Sequence, residues 1–102
     1  MDSLFQAAKE GNLETVKALI VAGADVNYDN DDGWTPLYVA SEKGHVEVVR
    51  TLLEKRADIN KADNYGATPL WTSSINGHVE VVRVLLEQGV DIDKATNSGA
   101  TP

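Results

Sequence analysis

The stretch Gly-Trp-Thr-Pro-Leu at residues 33–37 returns as Gly-Ala-Thr-Pro-Leu at residues 66–70, and its first four positions return as Gly-Ala-Thr-Pro at residues 99–102. The same shift of 33 positions places Gly-His-Val-Glu-Val-Val-Arg at residues 44–50 on the identical stretch at residues 77–83. Self-similarity at a period of about 20 to 50 residues is the signature of stacked repeats. The period therefore decides the fold of this chain.

Each repeat combines a turn, a short helix, a tight turn and a second helix. Thr35 is a good N-cap, Pro36 suits the first helical turn, and Gly44 tolerates the left-handed conformation that ends a helix. Apolar residues then recur at helical spacing on one side of a second helix, at Val46, Val49, Leu52 and Leu53. Helices shorter than roughly 12 to 15 residues are marginal alone in water, so neighbouring repeats must stack their apolar stripes.

The Thr-Pro-Leu motifs, the two Gly-His pairs and residues 23–27 together resemble the ankyrin repeat family over essentially the whole chain. The resemblance implies an all-α fold, an ankyrin-type helix-turn-helix repeat solenoid with β-turn or hairpin-like fingers. We expect one domain, residues 1–102. Its predicted units are an N-terminal capping-type repeat, two full repeats and the start of a fourth, at residues 1–29, 30–62, 63–95 and 96–102.

The sequence departs from the family pattern in its aromatic residues and at one helix end. The signature histidine is replaced by Phe5, Tyr38 and Trp71, which we expect to pack between repeats because large rings at regular spacing usually belong to the core. Glycine follows the second helix of the outer repeats, whereas Arg56 stands there in the middle repeat. If that position is left-handed, Arg56→Gly should stabilise the chain.

The chain enters the fourth repeat at residues 96–102 without a following cap. An uncapped stack leaves an apolar surface between repeats open. We expect either a fragment of a longer natural or engineered array, or self-association of two copies through that surface.

The resemblance also implies a concave groove, formed by the turn tips and the exposed side of each first helix, that holds a partner protein. The positions of this sequence that match the groove are Asp31, Asp32, Trp34, Val39, Glu42, Lys43, Asn64, Tyr65, Ala67, Thr72, Ile75 and Asn76, and Asn97, Ser98 and Ala100 would extend it. Trp34 and Tyr65 are the expected anchors, because Trp and Tyr are enriched among residues that dominate interface energy. The alternative is that both pack against neighbouring turns.

Composition restricts the class of partner. Sixteen acidic residues against nine basic ones give a net charge of −7, which repels nucleic acid and anionic membranes. Four aspartates at residues 25–32 could attract a basic segment of a partner protein, although a solvated loop is the alternative reading. The absence of cysteine fits an intracellular setting, cytoplasmic or nuclear.

No motif predicts catalysis, a cofactor or a metal. The acidic stretch at residues 28–39 superficially resembles a calcium loop, but Tyr28 and Val39 stand where the first ligand and the bidentate glutamate belong. His45 and His78 occur once per repeat and are expected to bond adjoining turns. No constellation of converging catalytic groups is present, so we do not expect an enzyme.

Asn27 and Asn60 lie in stretches that resemble ankyrin sites of an intracellular asparaginyl hydroxylase. The structural reading is that each asparagine stabilises its own turn, and the two readings do not exclude each other.

The sequence thus favours a protein-protein interaction module that binds a partner through its concave face. The alternative is a structural repeat fragment or an engineered, consensus-like array with no specific ligand. The similarity between repeats favours the alternative, whereas the concentration of differences at the turn tips favours binding.

Overall fold

The computed structural model describes residues 3–90, which form six helices arranged as three consecutive pairs. The helices are α1 (Ser3–Glu10), α2 (Leu13–Val21), α3 (Pro36–Lys43), α4 (Val46–Glu54), α5 (Pro69–Ile75) and α6 (Val79–Glu87). The first helices of the pairs, α1, α3 and α5, pack side by side in one row, and α2, α4 and α6 form a second row. Within the described residues no strand is present, so the predicted all-α repeat fold is confirmed.

The first helix of each full repeat begins and ends as its sequence predicts. The hydroxyl oxygen of Thr35 accepts a hydrogen bond from the Tyr38 amide at 3.1 Å, and a proline follows at the first helical position. Thr68 caps α5 in the same way, through the Trp71 amide at 3.2 Å. Helix α3 ends at Gly44, whose φ of 78° lies in the left-handed region that costs glycine little.

Each second helix also closes with a left-handed residue. Gly23, Arg56 and Gly89 have φ values of 97°, 71° and 84°, and Arg56 is the one non-glycine residue with positive φ among residues 3–90. The amide of Arg56 donates to the Leu53 carbonyl, and the next amide donates to the Leu52 carbonyl. This pair of bonds is a Schellman motif, which satisfies carbonyls at the helix end. The left-handed backbone predicted for residue 56 is confirmed.

The core runs along the stack rather than around one centre. Leu4, Leu37, Leu52 and Leu85 are fully buried, and they come from the first, the middle and the third repeat. The aromatic column packs as predicted: Tyr38 is buried, while Phe5 and Trp71 are partly buried against the core. Stacking therefore supplies the burial that the short helices lack alone.

The molecule measures 37 × 27 × 20 Å along its principal axes. None of the helices described for residues 3–90 has the length and apolar character that crossing a bilayer requires. The start of the predicted fourth repeat, with Asn97, Ser98 and Ala100, lies outside the described residues.

Candidate protein-binding surface

The turns that precede α3 and α5, here called the fingers (residues 30–34 and 63–67), are closed by one polar side chain each. The side-chain oxygen of Asn30 accepts from the amides two and four residues further on, both at 3.0 Å. Oδ1 of Asp63, at the equivalent position, accepts from the corresponding amides at 2.9 Å each. Backbone bonds from residue 30 to 34 and from residue 63 to 67 complete the hairpin-like turns. Each finger is therefore ordered before any partner binds.

The two fingers are also bonded to each other. The Asn64 amide donates to the Asp32 carbonyl at 3.0 Å, and its side-chain nitrogen donates to the Asp31 carbonyl at 2.7 Å. The approach is close at Gly33, where a Cβ atom would lie 2.9 Å from the Asn64 backbone nitrogen. The finger tips therefore form one continuous edge.

Trp34 is packed into this edge. Its ring stacks on Tyr38, with centroids 5.7 Å apart and an interplanar angle of 4°. Its indole N–H donates to Oδ2 of Asp63 at 3.1 Å. Of the two readings of Trp34, the structure favours packing against neighbouring turns, and the Asp63 carboxylate joins the two fingers.

Tyr38, whose ring stacks on Trp34, belongs to α3 in the row of first helices. Burial raises the pKa of Tyr38 above 10.0; a hydrogen bond with Thr72 lowers it, and the Asp63 carboxylate adds to the rise. The folded state thus favours the neutral phenol. Its contribution to stability is present below pH 10 and is lost as the pH rises through the raised pKa.

Tyr65 stands at the tip of the second finger and is 80% exposed. Its backbone amide is fixed by Asp63 at 2.9 Å, so an exposed aromatic ring is carried by a rigid turn. Tyrosine is among the residue types enriched at positions that dominate interface energy. Packing against a neighbouring turn, the alternative reading of Tyr65, is contradicted.

Three predicted groove residues are buried, and their expected exposure was wrong. Val39, Ala67 and Thr72 are 1%, 5% and 2% exposed. Val39 lies on α3, which has α1 and α5 on its two flanks, and Thr72 lies on α5, which packs against α3 and α6. Ala67 lies on the inner leg of its finger, where its amide is bonded to Asp63. Of the other predicted residues, Trp34 and Glu42 are half-buried, and the exposed ones are Asp31, Asp32, Lys43, Asn64, Tyr65, Ile75 and Asn76.

The structural reading expected the side chain of Asn27 to stabilise its own turn, but the side chain bonds the following repeat instead. Its side-chain oxygen accepts from the Asp58 amide at 2.7 Å, and its side-chain nitrogen donates to the Arg56 carbonyl at 3.4 Å. The carboxylate of Asp25 closes the local turn instead, by accepting from the Asn27 amide at 2.9 Å. Asn27 therefore links the first repeat to the middle repeat.

Asp63 is the functional residue that sequence reasoning missed. The repeat period places Asn30 and Asp63 at the same position, which indicates a turn-closing role for both. The period gave no signal that the second carboxylate oxygen of Asp63 reaches Trp34 of the preceding finger. Within residues 3–90, no group of three or more His, Asp or Glu residues is placed to hold a metal ion.

These features define a helical repeat protein that presents a rigid edge of finger tips. The family model described as "Ankyrin repeats (3 copies)" matches residues 4–96. The chain belongs to the ankyrin repeat family.

Curated relatives match over shorter stretches. Protein phosphatase 1 regulatory subunit 27 of Mus musculus is 46% identical over 37 residues, which are 36% of this chain and 24% of that protein. Notch-regulated ankyrin repeat-containing protein of Xenopus tropicalis is also 46% identical over 37 residues, 36% of this chain and 32% of that protein. Protein phosphatase 1 regulatory subunit 12A of Mus musculus is 53% identical over 36 residues, 35% of this chain but 4% of the relative. The matched stretch is thus a third or less of each relative.

Proposed function

We propose that this chain binds another protein through its finger tips and the accessible side of its first helices, and that it does so without catalysis. The observation that carries the proposal is Tyr65, an 80% exposed ring on a turn that Asp63 and the neighbouring finger already fix. Pre-organised aromatic residues bind at low entropic cost. Ankyrin repeats are generally protein-interaction modules, and the matched relatives include regulatory subunits.

The partner segment is proposed to be basic. Asp29 is 3.6 Å from Lys61, and the Asp25 carboxylate closes its own turn. In contrast, Asp31 and Asp32 are exposed, and no ion pair to them occurs within the described part of the chain. Two uncompensated carboxylates beside the finger of Tyr65 favour a lysine or arginine of the partner, by charge complementarity and by cation-π contact with the ring.

Trp34 is proposed to position this surface rather than to contact the partner as an anchor. Its ring stacks on Tyr38, and its indole N–H already donates a hydrogen bond to Asp63 within the molecule. Loss of Trp34 should therefore weaken binding and also lower the stability of the chain, whereas loss of Tyr65 should weaken binding alone.

The test is affinity capture of partners on three matched baits: wild type, Tyr65→Ala and Val21→Ala. Val21 is 87% exposed on α2, in the other row of helices, so its truncation controls for the loss of an exposed apolar side chain. We expect at least one captured protein to be lost on Tyr65→Ala and kept on Val21→Ala. Its binding should weaken further in Asp31→Asn/Asp32→Asn and with added salt.

Equal recovery of every protein on wild type and Tyr65→Ala would contradict the proposal. That outcome would favour the alternative, a structural array without a specific ligand. Thermal unfolding of each bait separates the two causes of lost binding, because Tyr65→Ala should leave the melting temperature unchanged.

A further inference from the structure

A groove lies between α2 and α4, in the second row of helices. It has a volume of about 290 Å³ and is lined by Lys17, Ile20, Val21, Thr51, Glu54 and Lys55. On each side of the groove the three lining residues are spaced at i, i+3 and i+4, so they share one helical face. The side formed by α2 is apolar at Ile20 and at Val21, which is 87% exposed. We call this feature the second-row groove.

The polar groups of the second-row groove are not engaged by the rest of the fold. None of the ion pairs described for residues 3–90 includes Lys17 or Lys55, and both side chains are exposed. Thr51 is only 9% exposed, and its hydroxyl forms no hydrogen bond with a described residue. A nearly buried hydroxyl costs free energy unless a partner bonds it. The groove therefore offers two cations and one hydroxyl to a ligand.

This combination belongs to one place in the stack rather than to every repeat. A shift of 33 positions gives the corresponding set between α4 and α6, which is Arg50, Leu53, Glu54, Val84, Glu87 and Gln88. Arg50 is paired with Glu47 at 3.6 Å, and Val84 stands at the position of Thr51. Two lysines against one glutamate give the second-row groove a net charge of +1, whereas one arginine against two glutamates gives the corresponding set −1.

The finger tips have the complementary character. Tyr65 is an 80% exposed ring, and Asp31 and Asp32 are exposed carboxylates without an ion pair in the part of the chain that the structure describes. Carboxylates of one surface attract the unpaired lysines of another, and a lysine ammonium near a tyrosine ring adds a cation-π attraction. One chain thus carries two surfaces of matching chemistry.

We infer that the second-row groove of one copy binds the finger tips of a second copy of this chain. The Tyr65 ring packs against Val21, its phenol gives the Thr51 hydroxyl a hydrogen-bond partner, and the finger carboxylates pair with the two lysines of the groove. This contact rests on the proposed function, because the same finger tips make it, and it adds a second surface and a defined partner.

The groove and the finger tips are different surfaces, so the contact between copies is heterologous. Each pair of copies keeps one free groove and one free set of finger tips, so association continues beyond two copies unless a ring closes. Finger tips that are bound to another copy are covered. A basic partner protein and a second copy therefore compete for the same surface, and self-association regulates how much of it is accessible.

Sedimentation equilibrium of the full chain, over a series of protein concentrations, tests the contact with two variants. The finger variant is Tyr65→Ala/Asp31→Asn/Asp32→Asn, and the groove variant is Lys17→Glu/Lys55→Glu. Each is measured alone and in an equimolar mixture with the other. Circular dichroism checks that each is folded, and Lys17→Gln/Lys55→Gln takes the place of the groove variant should the reversed charges unfold it.

The charge control is Lys9→Glu/Lys43→Glu. Both lysines are exposed and belong to neither the finger tips nor the groove, so this variant changes the net charge as the groove variant does. It separates loss of the contact from general repulsion between more acidic chains.

We expect the wild type and the charge control to rise above the monomer mass of 11.0 kDa as the concentration increases, and to rise less with added salt. Each of the two variants alone should stay at the monomer mass. Their mixture should approach twice that mass and not exceed it, because it contains one intact groove and one intact set of finger tips per pair.

A wild type that stays monomeric up to a protein concentration of about 1 mM would overturn the inference, as would a mixture in which no pair forms. Association that persists in both variants would place the contact on another surface, such as the uncapped end. Loss in the groove variant alone would indicate that two grooves meet, and loss in the finger variant alone that the finger tips bind elsewhere. The groove variant keeps its finger tips, so Tyr65-dependent capture of other proteins on it tests the proposed function separately.

Discussion

The middle and third repeats contain the identical stretch of seven residues that begins at Gly44 and at Gly77, yet they place it in different surroundings. A Cβ atom built on Gly44 would meet the ring of His78, whereas one built on Gly77 would meet no atom of residues 3–90 within 4 Å. Val49 is fully buried, whereas its counterpart Val82 keeps part of its surface in water. In a linear stack, the energetic weight of a residue therefore depends on how many neighbours its repeat has.

The largest effect is expected for Gly44→Ala compared with Gly77→Ala. Each change places a side chain at positive φ, which costs about 1 to 2 kcal/mol. Gly44→Ala must also displace the His78 ring and its bond to the Glu42 carbonyl, which adds about 1 to 2 kcal/mol. Chemical denaturation of both variants measures the difference. Equal losses would mean that the ring moves aside freely.

The next comparison is Val49→Ala against Val82→Ala. Removing two buried carbons costs roughly 0.8 kcal/mol each plus a cavity term, so Val49→Ala should lose about 2 to 3 kcal/mol. Val82→Ala should lose about 1 kcal/mol, because its side chain is only partly buried. The unfolding free energies of the two variants give the result, and a larger loss for Val82→Ala would contradict the comparison.

Arg56 and Gly89 close the second helices of the same two repeats with left-handed backbone. Arg56→Gly should stabilise the chain by about 1 kcal/mol, because glycine adopts positive φ without steric cost. Thermal unfolding checks the sign. Lys55→Gly is the matched control: its φ is −97°, so the same gain of flexibility should lower the melting temperature.

The smallest effect is expected for Ser41→Ala compared with Ser74→Ala. Ser41 is fully buried, and its hydroxyl has no hydrogen-bond partner, whereas Ser74 at the equivalent position is exposed. Removing an unsatisfied buried hydroxyl and improving helix propensity should stabilise by about 0.5 to 1 kcal/mol. Ser74→Ala should gain only the propensity part. A destabilised Ser41→Ala in a melting experiment would indicate a partner for the hydroxyl.

The sequence was sufficient for the fold because its signals are local. Thr35 and Pro36 fix where a helix begins, and Gly44 fixes where it ends. The left-handed conformation of Arg56 followed from glycines at the same position of the outer repeats. These features depend on backbone geometry within one repeat, so the period alone reveals them.

The candidate site was predicted less well because it depends on how deeply each side chain is buried and on contacts between repeats. Position within a repeat placed Val39 and Thr72 on partner-facing helices, but both side chains are buried against neighbouring helices. From sequence alone, Trp34 and Tyr65 were expected to play the same role as anchors, and only their contacts in the structure distinguish them. Asp63 accepts a hydrogen bond from the indole N–H of Trp34, whereas the Tyr65 side chain is 80% exposed.

The bonds that join the repeats have a consequence for how such a chain can grow. His45 reaches back 36 residues to Lys9, His78 reaches back the same distance to Glu42, and Asn27 reaches forward 31 residues to Asp58. Each of these bonds joins adjacent units, so duplicating a whole unit of 33 residues would recreate every partner at its proper spacing. Inserting a single residue inside a helix pair would instead shift ring and carbonyl out of register at two junctions. Gene duplication of entire units is therefore the low-cost route by which an array of this kind lengthens.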